Sequence, residues 1–249
     1  MKKLVAGGCS FTCHDTKPNI VDMALSKEDL DFPRWPVHVA RHLNLEPVNL
    51  GASGYSNSTI SLFVYNHIQR FNKDIDHVCI LWSDWFRLNP YDSDLCLHPV
   101  NSYVPAYAKN PERDLILKEL LLDGPSGCFG QSFIDRVVQH NMRAFFCVEA
   151  ICKQFNISYT FMQGVPKFAI VQDWFDDFKI NQYQIFDSII KHENWFDHES
   201  WIGWPFYQTF NMDQPLTEYD LHPNEKGHEL ISKQFISFIS SKTSPVTTS

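Results

Sequence analysis

Four short apolar runs, separated by segments with helical periodicity, constrain this chain more than any other feature. They are KLVAGGC (3–9), PVNLG (47–51), HVCILWS (77–83) and ISYTFMQ (157–163). Each is a few residues long and closes on a small or polar residue, the pattern of a strand buried on both faces. The intervening stretches have a different period. In 34–44, Pro36 stands near a helix start and Val37, Ala40 and Leu43 share one face. In 56–71, Ser56 or Asn57 can cap a helix that lines up Ile60, Phe63, Val64 and Ile68. The clearest helix spans 131–155, with Ile134, Val137, Val138, Asn141, Ala144, Phe145, Val148, Ile151, Cys152 and Phe155 at three-and-four spacing. Asn141 is the only polar member of that stripe. A last helix from about Asn224 to Ser240 turns Leu230, Ile231, Phe235, Phe238 and Ile239 inward. Alternation of strand and helix predicts a parallel sheet wrapped by helices.

The remaining segments are less regular. Residues 86–130 carry Pro90, Pro99, Pro105, Pro111 and Pro125 around a helical fragment at 113–122, and read as an insertion over one end of the sheet. The stretch 170–200 is rich in Trp, Phe and Asp and is expected to be helical in part; its tryptophans, with Trp201 and Trp204, are read first as core and second as a sugar-binding lining. No repeat and no linker divides the chain, so one domain is expected over 1–241, with a mobile tail at 242–249. At 249 residues the chain can bury a substantial core.

Composition narrows the function classes. A formal charge of −8 without any basic run argues against nucleic acid as a partner. Seven cysteines at irregular spacing, with no CxxC pair, support neither a zinc ribbon nor a thioredoxin-like motif, and Cys9 with Cys13 is a poor redox pair. Reduced thiols are expected. The opening MKKLVAGGC is too short in apolar residues for a signal peptide, and no stretch is long and apolar enough for a membrane span. A cytoplasmic or virion-associated protein is the expectation. Nothing in the sequence sets an oligomeric state.

In open parallel sheets, ligands bind where the strands end. Gly7-Gly8-Cys9-Ser10-Phe11-Thr12 stands after the first run, and Asn49-Leu50-Gly51-Ala52-Ser53-Gly54-Tyr55-Ser56-Asn57 after the second. Trp82-Ser83-Asp84-Trp85-Phe86-Arg87 closes the third, and Asp220-Leu221-His222-Pro223-Asn224 precedes the last helix. Each segment alone is weak evidence: a Gly-Gly-x-Ser turn is usually only a turn, and a His before Pro usually only begins a helix. Together they supply one chemistry. A serine hydroxyl needs a base, and His serves near neutral pH. Asp220, two residues before His222 on an extended segment, points to the same side and can reach its ring. Glycine-flanked N–H groups can approach an oxyanion closely.

The four segments resemble the sequence blocks of the SGNH, or GDSL-like, hydrolases, and they span almost the whole chain. GGCSFT resembles the first block, with Ser10 as nucleophile and Cys9 where the family often has Asp. NLGASGYSN resembles the second, Gly54 matching the glycine whose N–H serves the oxyanion hole. ILWSD resembles the third, with Ser83 in the place of the family's Asn; a serine hydroxyl or nearby Asn57 can substitute as donor. YDLHPNEKGH resembles the last, with His222 as base, Tyr219 where the family usually has its Asp, and Asp220 one residue later. The resemblance implies a three-layer α/β/α sandwich around a mostly parallel sheet of about five strands, the fifth expected within 201–212. It also implies metal-independent cleavage of carboxylic esters through an acyl-enzyme, with a Ser10–His222–Asp220 triad and no cofactor.

Other residues have plain readings beside functional ones. Arg87 can bind an anionic substrate or form a surface ion pair. Asp84 can contact substrate or cap the segment after its strand. His14 can line the site, but without spaced partners no metal is expected. His228 is expected to pack within the last helix. Two functions are consistent with these residues. One is an esterase acting on a small acyl group such as an O-acetyl on a carbohydrate. The other is a module of the same shape that binds glycan or serves as a structural or virion component with little or no catalysis.

Overall fold

The computed structural model describes residues 1–13, 31–83, 131–164, 198–203, 216 and 222–243. Its strands are β1 (Lys3–Gly8), β2 (Glu46–Asn49), β3 (Ile75–Trp82) and β4 (Ser158–Gln163). Its helices are α1 (Trp35–Leu43), α2 (Asn57–Phe71), α3 (Gln131–Gln154) and α4 (Glu225–Thr243). All pairings are parallel and the order is β2-β1-β3-β4. The insertion at 86–130, the stretch 170–197 and the tail 244–249 lie outside the described residues.

Successive strand side chains point to opposite faces, which sorts the core into two layers. Val5, Val78, Ile80, Trp82 and Phe161 face one side, where Ile60, Val64 and Ile68 of α2 and Phe145, Val148 and Ile151 of α3 cover them. Leu4, Ala6, Cys79, Leu81 and Met162 face the other, against Trp35 and Val39 of α1 and Ile231 and Phe235 of α4. Stacked rings tie helix to sheet and helix to helix: Trp82 on Phe145 at 4.2 Å and Trp35 on Phe235 at 4.7 Å. This is the expected three-layer arrangement. Local chemistry sets the helix ends. Ser56 caps α2 by accepting the Thr59 N–H, and Asn44 and Asn156 take left-handed φ of 54° just past α1 and α3.

The fifth strand position is marked beyond β4. Trp201 bridges Phe161 in parallel, Ile202 N–H donates to Phe161 O at 2.9 Å, and Gln163 N–H donates to Gly203 O at 3.0 Å. The described part of 201–212 therefore runs alongside β4, within the range expected for a fifth strand.

One core residue makes stability depend on pH. His77 on β3 is 8% exposed, and its Nε2 lies 3.0 Å from Thr160 Oγ1 on β4. Burial pushes its pKa down from 6.5 to about 4, against the opposing pull of Asp76. The folded state therefore holds His77 neutral, while the unfolded chain takes a proton near 6.5. The stabilisation is complete above pH 6.5 and is lost progressively as pH falls toward 4. By linkage, His77 is expected to cost about 2 kcal/mol of folding stability between pH 7 and 5. His67 and His140 shift in the same direction, so the comparison is made with His77→Gln, which keeps an amide near Thr160 and does not titrate. Urea unfolding at both pH values should show the variant losing about 2 kcal/mol less than wild type; equal losses would remove His77 from the account.

Candidate active site

The turn after β1 is built around Thr12. Thr12 and Cys13 N–H groups both donate to Cys9 O, at 2.9 and 3.1 Å, so the chain leaves the strand in one helical turn that carries Ser10. Ser10 is 4% exposed and Thr12 fully buried. A Cβ on Gly8 would overlap Thr12 Oγ1, and one on Gly51 would lie 2.7 Å from Thr12 Cβ. Both glycines are thus needed where the Thr12 side chain sits. Trp35 Nε1–H donates to Thr12 Oγ1 at 3.2 Å, and Asn49 Nδ2–H donates to Thr12 O at 2.6 Å. Asn49 Oδ1 in turn accepts the Gly51 N–H at 2.9 Å, and Ala52 N–H donates to Gly8 O at 3.3 Å. The Ser10 turn and the loop after β2 are therefore one locked unit. Gly54, in that loop, takes a φ of +81° with open space where a Cβ would be, so its backbone conformation, and not crowding, calls for glycine.

His222 stands just before α4, whose start is capped by Asn224 Oδ1 accepting the Gly227 N–H at 3.1 Å. Its carbonyl accepts the Leu216 N–H at 2.8 Å. Its ring meets the Phe11 ring edge-on, centroids 5.5 Å apart and planes at 67°. Phe11 is the residue directly after Ser10, so the fold brings the last sequence block onto the first. His228, within α4, is buried and accepts the Trp35 N–H on Nδ1 at 3.3 Å, the packing role expected of it. Asp220, Asp84, Arg87 and His14 lie outside the described residues.

At the end of β3, the backbone of Ser83 is gripped by two carboxamides, and a third holds one of them. Ser83 N–H donates to Asn57 Oδ1 at 2.7 Å. Ser83 O accepts from Asn57 Nδ2 at 3.1 Å and from Gln163 Nε2 at 2.8 Å. Asn57 Nδ2 also donates to Asn141 Oδ1 at 2.7 Å. Asn57 thus has both amide hydrogens engaged, which leaves none for an oxyanion in this arrangement. Ser83 Oγ is buried and has no hydrogen-bond partner among the described residues. An orphaned buried hydroxyl costs about 1–3 kcal/mol, so its retention points to a ligand atom as its partner. Gln163 and Asn141 were not singled out for the site from sequence. Asn141 did carry a signal, as the one polar residue in an apolar stripe, while Gln163 carried only its place at a strand end.

Among the described residues no group of three His, Cys, Asp or Glu side chains is placed to hold a metal ion. The five described cysteines, Cys9, Cys13, Cys79, Cys147 and Cys152, are free thiols. Burial pushes the Cys152 thiol up to about 12 and the Cys79 thiol well above its ordinary value, so both are inert side chains of the core. No described helix is long and apolar enough to cross a membrane.

No protein-family profile and no curated protein matches the chain. Solved structures do. A candidate acylhydrolase from Bacteroides fragilis NCTC 9343 is similar over 97% of this chain and 88% of its own, at 11% identity and a TM-score of 0.50. A psychrotrophic esterase from a Pseudoalteromonas species is similar over 97% and 98%, at 11% identity and a TM-score of 0.49. An acetylxylan esterase from Geobacillus stearothermophilus is similar over 96% and 94%, at 14% identity and a TM-score of 0.46. The chain has an SGNH-type α/β hydrolase fold. In an SGNH-type fold, the turn after β1, the loop after β2, the end of β3 and the segment before the last helix share one edge of the sheet. Ser10, Gly54, Ser83 and His222 occupy those places here.

Proposed function

We propose that the chain is a serine esterase that hydrolyses a small acyl ester, with an O-acetyl group on a carbohydrate as its substrate class. Ser10 Oγ attacks the carbonyl carbon and gives its proton to His222, whose other ring nitrogen is held by Asp220. The carbonyl oxygen becomes an oxyanion, received by the N–H groups of Ser10 and Gly54 and by the Ser83 hydroxyl. Collapse breaks the bond to the alcohol, which leaves with the proton from His222, and the acyl group stays on Ser10. Water, deprotonated by His222, attacks the acyl carbon. Departure of the carboxylic acid returns the proton to Ser10. No metal or cofactor takes part in these steps. Arg87, Asp84 and His14 are the candidate substrate contacts.

One observation carries this reading: the edge-on contact between His222 and Phe11, which sets the only His of the last block's Asp-Leu-His run beside the Ser10 turn. The low exposure of Ser10, 4%, favours a short acyl chain over a long one. The test is a panel of p-nitrophenyl esters of increasing chain length, plus an acetylated xylo-oligosaccharide, run with wild type and Ser10→Ala side by side. Acetate should be released fastest, and Ser10→Ala should fall to the buffer rate. The second reading, a glycan-binding or structural module of this shape, is favoured by one feature: Ser83 where the resemblance places Asn. It would be chosen if wild type were no faster than Ser10→Ala while still retaining acetylated oligosaccharide.

A further inference from the structure

We propose that Asn141 on α3 is a positioning residue for the oxyanion hole, acting through Asn57 on Ser83; this rests on the esterase reading above. Asn141 and Asn57 are each 1% exposed. An amide so deeply buried must be hydrogen-bonded, and its partners then fix its orientation. The Ser83 N–H points at Asn57 Oδ1, which dictates which end of that carboxamide is oxygen. Its nitrogen is therefore turned toward Ser83 O and Asn141 Oδ1. Asn57 thus holds both backbone groups of Ser83, and Asn141 holds Asn57.

The neighbouring pair repeats the connection. Ser58 Oγ lies 2.6 Å from His140 Nε2, so two consecutive residues of α2 are tied to two consecutive residues of α3. From the opposite side, Gln163 at the end of β4 donates to Ser83 O. Three elements therefore fix the backbone of one serine, yet its hydroxyl has no partner among the described residues. A bracket needed only for folding has no reason to leave that atom bare. A bracket that aims a donor at substrate does. Asn141 touches neither Ser10 nor His222 in any described hydrogen bond, and its influence on the reaction passes through the Asn57–Ser83 contacts.

The experiment is a mutant cycle read by kinetics and by amide exchange. Asn141→Leu removes the acceptor at similar size, and Asn141→Asp keeps an acceptor oxygen. Asn141→Ala replaces the leucine variant if that one does not fold. With p-nitrophenyl acetate, Asn141→Leu is expected to lower kcat about 10-fold or more with KM within about 2-fold, since a misaimed donor costs turnover and not binding. Asn141→Asp should recover most of the loss. In a Ser83→Ala background the same leucine substitution should change kcat by less than about 2-fold, because the hydroxyl it positions is gone. Exchange of the Ser83 amide should quicken in Asn141→Leu while the amides of β1 stay as protected as in wild type. An equal loss of kcat in both backgrounds, with Ser83 exchange unchanged, overturns the positioning role and leaves the esterase reading intact. A wild type no faster than Ser10→Ala removes the esterase reading and the proposal with it.

Discussion

Replacing His222 with alanine is expected to lower kcat on p-nitrophenyl acetate by about 10²–10⁴-fold, the range typical of a positioned general base. KM should move little, because the ring acts on the Ser10 proton and not on the bound ester. The structural cost should be small. His222 is half-buried at the start of α4, its carbonyl bond to Leu216 is made by backbone, and Asn224 caps the helix without it. The lost ring contact is the edge-on one with Phe11. Thermal unfolding of the variant should therefore stay close to wild type while activity collapses. A variant that keeps most of its kcat would mean that another base serves Ser10.

Ser83→Ala should produce a second and sharper separation of activity from stability. Loss of one oxyanion donor costs about 10²–10³ in turnover. The hydroxyl removed is buried without a partner among the described residues, so its loss should leave stability unchanged or slightly raised. The backbone bonds to Asn57 and Gln163 do not depend on the side chain and should survive. Steady-state kinetics and urea unfolding on the same preparation check both halves. Unaltered kcat would remove Ser83 from the oxyanion hole.

Much of the fold was legible because buried parallel strands and amphipathic helices have different periods. KLVAGG and HVCILW admit few alternatives, and the 131–155 stripe sets one face of α3 against the sheet through Phe145, Val148 and Ile151. The fifth strand position was harder to read, since Trp201–Gly203 is recognisable only by its pairing with Phe161 and Gln163 on β4. At the site, Ser10, Gly54, Ser83 and His222 were legible as strand-end residues in successive segments. The duty of Asn57 was not. Sequence leaves it open as a donor to substrate, and only the positions of Ser83 and Asn141 reveal that its amide is already engaged. Gln163 and Asn141 were illegible for the same reason: their partner is Ser83, or Asn57 beside it, and such contacts form only after the sheet and helices have packed. Thr12 belongs with them, because its grip on Gly8, Gly51, Asn49 and Trp35 joins three segments that are separate in sequence.

The central claim is that Ser10 is a nucleophile activated by His222, and covalent labelling tests it without any assumption about the natural ester. Diethyl p-nitrophenyl phosphate reacts with such a serine: Oγ bonds to phosphorus, p-nitrophenolate leaves, and the serine proton passes to the base. Intact-mass analysis and peptide mapping should find one diethylphosphoryl group, on Ser10, formed with release of one p-nitrophenolate. Ser10→Ala should stay unlabelled, and His222→Ala should label far more slowly than wild type. No adduct on wild type under conditions that label a known serine esterase, or equal labelling of wild type and Ser10→Ala, would contradict the account.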